Sequence, residues 1–348
     1  MIGVVDLDAA RAEWEPEGTY LDTASYGLPP ARAWRTLQDA LADWRGGRTS
    51  WEHWNDTADV ARASFARIVG APVERVAVGA TVSGLVGLVA ASIPDGARVL
   101  APDVEFTSLL FPFLVQERRG VDVRTVPADR LAEAIDADTD IVAFSAVQMS
   151  TGEVADLDAL TAAAHHQGAL TVVDASQACG WLPLDATDFD ALVCAGHKWL
   201  VSPRGTAFLT MSEALLERTA PHSAGWYAAE DIADSFAGPP LHLAGSARRL
   251  DTAPAWFSWV AAAPAVALIE EIGVDAIHAH DVGLANAFRE GLGLPPSDSA
   301  IVFSDLAGGP ERLRDADLMA AVIGGRLRTA WHVHNTPADV ERALEALG

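Results

Sequence analysis

Apolar positions recur at helical spacing over residues 31–46, where the pattern stops at Gly46-Gly47, and again over 55–69, where it stops at Gly70. Further along, the period changes. Short apolar runs at 75–78, 99–101, 121–126, 140–144, 170–173, 191–193 and 206–209 read as strands, with helical patterns at 83–92 and 157–166 among them. Buried strands alternating with helices predict βαβ units: an α/β fold with a mostly parallel sheet covered on both faces. Near Pro239-Pro240 the character shifts again. A long helical run over 254–272 leads to a helix over 280–292, a strand over 300–303 and a helix over 315–323. A strand over 326–334 and a last helix over 337–347 follow. We expect a large domain over 20–240 and a smaller α+β domain over 241–348, joined by 1–19.

Composition narrows the class. Half of the 348 residues are hydrophobic, which suits a globular chain, and the formal net charge is −24. So acidic a surface argues against nucleic acid or an anionic membrane as partner. The longest apolar stretch, 254–269, falls short of the roughly 20 residues a membrane helix needs and contains Pro254 and Pro264. The opening Met1–Asp8 has no basic residues ahead of its apolar ones, unlike a secretory signal. Two cysteines, Cys179 and Cys194, point to a reducing setting without a disulfide framework. The expectation is a soluble cytoplasmic protein.

Lys198 brings chemistry into this frame. It stands in Ala195-Gly196-His197-Lys198-Trp199, just past the run 191–193; Asp174 ends the neighbouring run 170–173. A lysine and an acid at the ends of adjacent buried strands suit pyridoxal 5′-phosphate. The amine condenses with the aldehyde, and the carboxylate keeps the ring nitrogen protonated. In such sheets ligands bind beyond the carboxyl ends of the strands. Gly79-Ala80-Thr81 and Phe106 fall on strand ends too. Backbone N–H groups at the helix start after Gly79 suit a phosphate, although a strand–Gly–Thr–helix junction is also ordinary capping.

These residues resemble the class V aminotransferase family, fold type I enzymes that include cysteine desulfurases, kynureninase and isopenicillin N epimerase-like proteins. Tyr20-Leu21-Asp22-Thr23-Ala24-Ser25 resembles the family's opening. Asp174-x-x-Gln177 and Gly196-His197-Lys198 resemble its centre, and Arg328 through Thr336 its closing strand. The resemblance implies that Gln177 meets the cofactor's ring oxygen and that Phe106 stacks on the ring. It implies that Thr81, Ala80 and His197 hold the phosphate, where Ala80 and Ala195 replace hydroxyl residues common in the family and Ser83 or the partner subunit could compensate. Arg328 would grip the substrate α-carboxylate, with Arg326 as competitor on the same strand face. Gln148, Ser25 and Ala24 would line the substrate pocket. The segment Asp251–Trp256 would reach the neighbouring subunit's site in a homodimer, with Thr252 or Trp256 touching the other chain's ligand.

The implied activity is that of an enzyme acting on an amino acid or related amine, with transamination first. A C–S lyase by β-elimination comes second, then an epimerase, then a cysteine desulfurase. A non-catalytic binding protein of the same fold is the alternative of another class. Phe106 stands where desulfurases carry a proton-exchanging histidine, and segment 311–327 lacks their persulfide cysteine. His278/His280 and His332/His334 resemble ligand pairs, but only the second pair shares a strand face and no third ligand is evident. No metal is expected.

Overall fold

A computed structural model describes residues 6–49, 51–305 and 308–348. Most of the opening segment read above for a signal, Met1 to Val5, lies outside them. The helices are α1 (Leu7–Arg11), α2 (Ala31–Arg45), α3 (Trp51–Ile68), α4 (Val82–Ser92), α5 (Thr107–Leu114), α6 (Leu131–Ala134), α7 (Leu157–Gln167), α8 (Glu213–Arg218), α9 (Trp256–Ile272), α10 (Val274–Gly291), α11 (Gly309–Asp315) and α12 (Pro337–Leu347). The strands are β1 (Thr19–Tyr20), β2 (Val76–Gly79), β3 (Arg98–Pro102), β4 (Asp122–Val126), β5 (Ile141–Ser145), β6 (Leu170–Asp174), β7 (Ala191–Ala195), β8 (Ala207–Met211), β9 (Ile301–Ser304), β10 (Leu318–Met319), β11 (Ala321–Ile323) and β12 (Arg326–Ala330).

The main sheet runs β2-β8-β7-β6-β5-β3-β4. Only β8 is antiparallel to its neighbours. Successive side chains feed opposite faces. Val142, Phe144, Val173 and Leu192 pack into one buried cluster; Ile141, Ala143, Val172 and Val193 pack into another. That two-sided burial is why these strands read as unbroken apolar runs. A three-stranded antiparallel sheet, β11-β12-β9, lies in the C-terminal part, and β1 pairs in parallel with β10.

Three expectations need correction. The helix over 315–323 does not form: α11 ends at Asp315, and β10 and β11 take up 318–323. The run Leu318–Ile323 is too short to set a period, and pairing with β1 and β12 decides it. Gly324 and Gly325, at φ 58° and 82°, make the tight turn into β12. The helix placed at 280–292 begins at Val274, directly after Gly273. The last strand stops at Ala330 rather than His334.

Asp251 anchors the segment that leads into α9. Fully buried, it accepts from Arg62 Nη2 at 2.6 Å and from the Val78 N–H at 2.8 Å. Arg62 Nη1 donates to the Val76 carbonyl at 2.7 Å. The start of 251–256 is therefore tied to β2 of its own chain. Replacing Asp251 with Ala leaves the buried Arg62 guanidinium only the half-exposed Asp59 and the Val76 carbonyl, so we expect a loss near the lower end of about 3–5 kcal/mol. Urea unfolding at fixed protein concentration measures this; a change below about 1 kcal/mol, well under that range, would show the pair to be dispensable.

Candidate active site

Sheet register assembles the rim. Ser145, the last residue of β5, lies opposite Asp174, and Asp174 lies opposite Val193 of β7. Asp174 is 4% exposed. Its Oδ1 accepts the Ser176 N–H at 2.8 Å. Burial pushes this carboxyl up, while Ser176 and the Lys198 charge pull it down. Lys198 sits in the turn after β7, its Nζ 5.5 Å from the centre of the Phe106 ring. Burial pushes the amine below its ordinary value; Asp174 opposes this, and Arg328 and Arg204 reinforce it.

The turn that carries Lys198 is held rigidly. Its carbonyl accepts the Val201 N–H at 3.1 Å, and Val201 takes φ 45°, a left-handed conformation costly for a β-branched residue. Gly27 backs onto the same carbonyl so closely that a Cβ would lie 2.0 Å from it. Trp199 Nε1 donates to Gln177 Oε1 at 3.0 Å, and Gln177 Nε2 donates to the Ala24 carbonyl at 3.0 Å. Gln177 and Ala24 are thus partly committed to the scaffold, although one Gln177 N–H stays free for a ligand. From the other side, His332 Nε2 meets the Trp199 carbonyl at 3.1 Å, and His332 Nδ1 meets Asp281 at 2.8 Å. Burial holds His332 down to about 3 and pushes Asp281 well up. His334 bonds the Tyr20 carbonyl. Among the described residues no His, Cys, Asp and Glu form a metal-binding group. Cys179 and Cys194 are free and buried.

Arg328 reaches the same space from β12. It is 2% exposed. Its Nη2 donates to Asp22 Oδ1 at 2.9 Å and to the Ser25 hydroxyl, while Nε is buried without a partner. Arg326 is spent elsewhere, on Asp305 at 2.7 Å. At the opposite edge Thr81 caps α4, its Oγ1 accepting the Gly84 N–H at 3.1 Å. Thr81, Ala80 and Ser83 are exposed, and the first turn of α4 carries no acid, so this helix terminus stays open and electropositive. Beside it, the His197 ring lies 5.2 Å from that of Tyr26, and burial with two nearby cations lowers His197 to about 4.

Glu105 was not singled out in the sequence. It is 6% exposed and accepts four hydrogen bonds, from the Phe106 N–H, the Ser145 N–H and hydroxyl, and Gln148 Nε2. It fixes the Phe106 backbone and occupies Gln148, which was expected to face a ligand. Burial pushes Glu105 up, and Asp174 adds to that. A Glu ahead of a candidate stacking ring was the available signal. In the segment 251–256, Thr252 is exposed, whereas Trp256 packs on Trp51 and Trp54.

Two observations show that these residues suit pyridoxal phosphate. Asp174 and Lys198, at and just past the ends of the adjacent strands β6 and β7, lie close enough for each charge to act on the other yet form no ion pair. Arg328 keeps a buried donor unspent.

Comparison with known proteins agrees. The family described as Aminotransferase class-V matches residues 19–300. An uncharacterized aminotransferase, YcbU, of Bacillus subtilis (strain 168) is 27% identical over 92% of this chain and 90% of its own. The isopenicillin N epimerase of Amycolatopsis lactamdurans is 31% identical over 82% and 83%. The kynureninase of Deinococcus radiodurans is 28% identical over 80% and 72%. Among solved structures, the cysteine desulfurase CsdA of Escherichia coli superposes with TM-score 0.84 at 21% identity, covering 99% of this chain and 98% of its own. The cystine C–S lyase C-DES gives 0.85 at 19%, over 95% and 97%. The chain belongs to the aminotransferase class-V family of pyridoxal-phosphate-dependent, fold type I enzymes.

Proposed function

We propose that the protein transfers the amino group of an α-amino acid to a 2-oxo acid. The observation that carries this reading is the pairing of a desolvated Lys198 amine with the buried, half-spent Arg328 guanidinium on one rim. When bound, pyridoxal phosphate supplies the electron sink that stabilises charge at the substrate Cα. Asp174 would supply the negative charge that matches a protonated ring nitrogen. Arg328 grips the α-carboxylate through its free donors and so turns the Cα–H toward Lys198. Lys198 Nζ, pushed toward its neutral form, takes that proton and delivers it again. Phe106 offers an apolar face and has no proton to exchange. With a leaving group at Cβ, the same residues would support elimination.

The segment Thr252–Trp256 supports a homodimer in which it approaches the partner's site, because Asp251 fixes its root while Thr252 stays exposed. The net charge of −24 and two free thiols support a cytoplasmic setting. No helix among the described residues is long and apolar enough to cross a membrane.

The test is a panel of amino acids offered with and without a 2-oxo acid. We expect product only with the acceptor, carrying the amino group. Pyruvate, a thiol or sulfide released without acceptor would replace transamination by elimination, and inversion at Cα would replace it by epimerisation. Arg328→Lys should lower kcat/KM about 10- to 100-fold, mostly through KM, because a point charge cannot reproduce the planar fork. An unchanged KM would remove Arg328 from carboxylate recognition.

A further inference from the structure

The rim that ends β2 and β7 raises a question of charge. A phosphate ester carries nearly two negative charges at neutral pH. The start of α4 contributes only about half a positive charge. Ala80 and Ala195 bring no hydroxyl, and Thr81, whose Oγ1 accepts the Gly84 N–H, keeps an O–H to donate but no charge. Burial and the Lys198 and Arg204 charges lower His197 to about 4, which disfavours its cationic form. Lys198 and Arg328 have other roles. A further cation at this edge would balance the remaining charge.

Sheet register identifies it. Gly79 at the end of β2 lies opposite Ala207 at the start of β8, and Ala207 lies opposite Ala195 at the end of β7. Because β8 is antiparallel to both, the residues just ahead of it run along the same rim, between the α4 loop and the Lys198 turn. The Gly196 N–H donates to the Thr206 carbonyl at 2.9 Å and joins the two segments. Arg204 stands in this stretch. Its carbonyl accepts the Ser258 hydroxyl at 2.9 Å, and Gly205, at φ 97°, makes the turn back into β8. The guanidinium lies 5.9 Å from the centre of the Tyr26 ring, on the same ring that neighbours His197. Arg204 forms no ion pair with an acid among the described residues, and its charge is felt at both His197 and Lys198.

We propose that Arg204, shelved on Tyr26, supplies the counter-charge for the cofactor's phosphate in place of the hydroxyls missing at 80 and 195. This rests on the cofactor reading above. Arginine is suited to both contacts, because its fork matches phosphate oxygens and its flat face stacks on an aromatic ring.

The experiment titrates apo-protein with pyridoxal phosphate and, separately, with pyridoxal, which lacks the phosphate. We expect Arg204→Met to weaken pyridoxal phosphate about 10- to 100-fold, the range of one charge-assisted contact, and to leave pyridoxal binding unchanged. Arg204→Lys should restore most of the loss, and inorganic phosphate should compete with the cofactor in wild type but not in Arg204→Met. The proposal is overturned if both ligands weaken alike, if neither changes, or if Lys gives no rescue. It is also overturned if only the KM of acidic substrates rises, which would assign Arg204 to the substrate. Failure of the wild type to capture pyridoxal phosphate at all would overturn the cofactor reading instead.

Discussion

Lys198→Ala should leave a protein that binds pyridoxal phosphate without fixing it covalently and turns over at least about 10³-fold more slowly. Wild-type protein should be yellow, and borohydride should bleach it and leave the cofactor attached to Lys198 in a peptide map. The variant should survive neither test: colour should wash out on dialysis, and borohydride should mark no peptide. The physical basis is the position of the amine. Burial and two nearby guanidiniums push Lys198 toward the neutral form, which is the nucleophile and the base. Alanine removes both roles and leaves the surrounding turn intact, since Gly27, Val201 and Trp199 hold it through backbone and indole contacts. A variant that kept its colour through dialysis and was still marked by borohydride would place the covalent bond elsewhere.

Asp174→Asn should have the second largest effect, on kcat rather than on cofactor content. Asn preserves shape and still accepts the Ser176 N–H, so the pocket floor survives. It removes the one charge that matches a protonated ring nitrogen. Loss of one partner from a buried ion pair costs about 3–5 kcal/mol, which corresponds to roughly 10²- to 5 × 10³-fold in rate. Bound cofactor measured by absorbance should stay near one per chain while kcat falls. Asp174→Glu should recover part of the rate. A variant that lost cofactor and rate together would mean that Asp174 builds the pocket rather than tuning its chemistry.

Several features of this protein were legible along the chain because they depend on local period. The strands β3, β5, β6 and β7 announce themselves as short apolar runs, and their ends carry Phe106, Asp174 and Lys198 within a few residues. A parallel sheet places those ends on one side, so the candidate site followed from the element order alone. The turn 324–325 and the run before it were not legible, because six apolar residues fit a helix or a strand equally. Their partners in β1 and β12 lie in other parts of the chain.

The same distinction separates the residues of the site. The sequence determined the α/β order, the Lys198 and Asp174 positions, and the absence of hydroxyls at 80 and 195. Only tertiary structure decided that Glu105 is buried among Ser145 and Gln148, that Arg326 is spent on Asp305 while Arg328, paired with Asp22, keeps a buried Nε free, and that an antiparallel β8 carries Arg204 between two loops. A strand's period is written in adjacent residues. The partner of a buried charge is fixed by which distant strand lies alongside, and no local pattern encodes that.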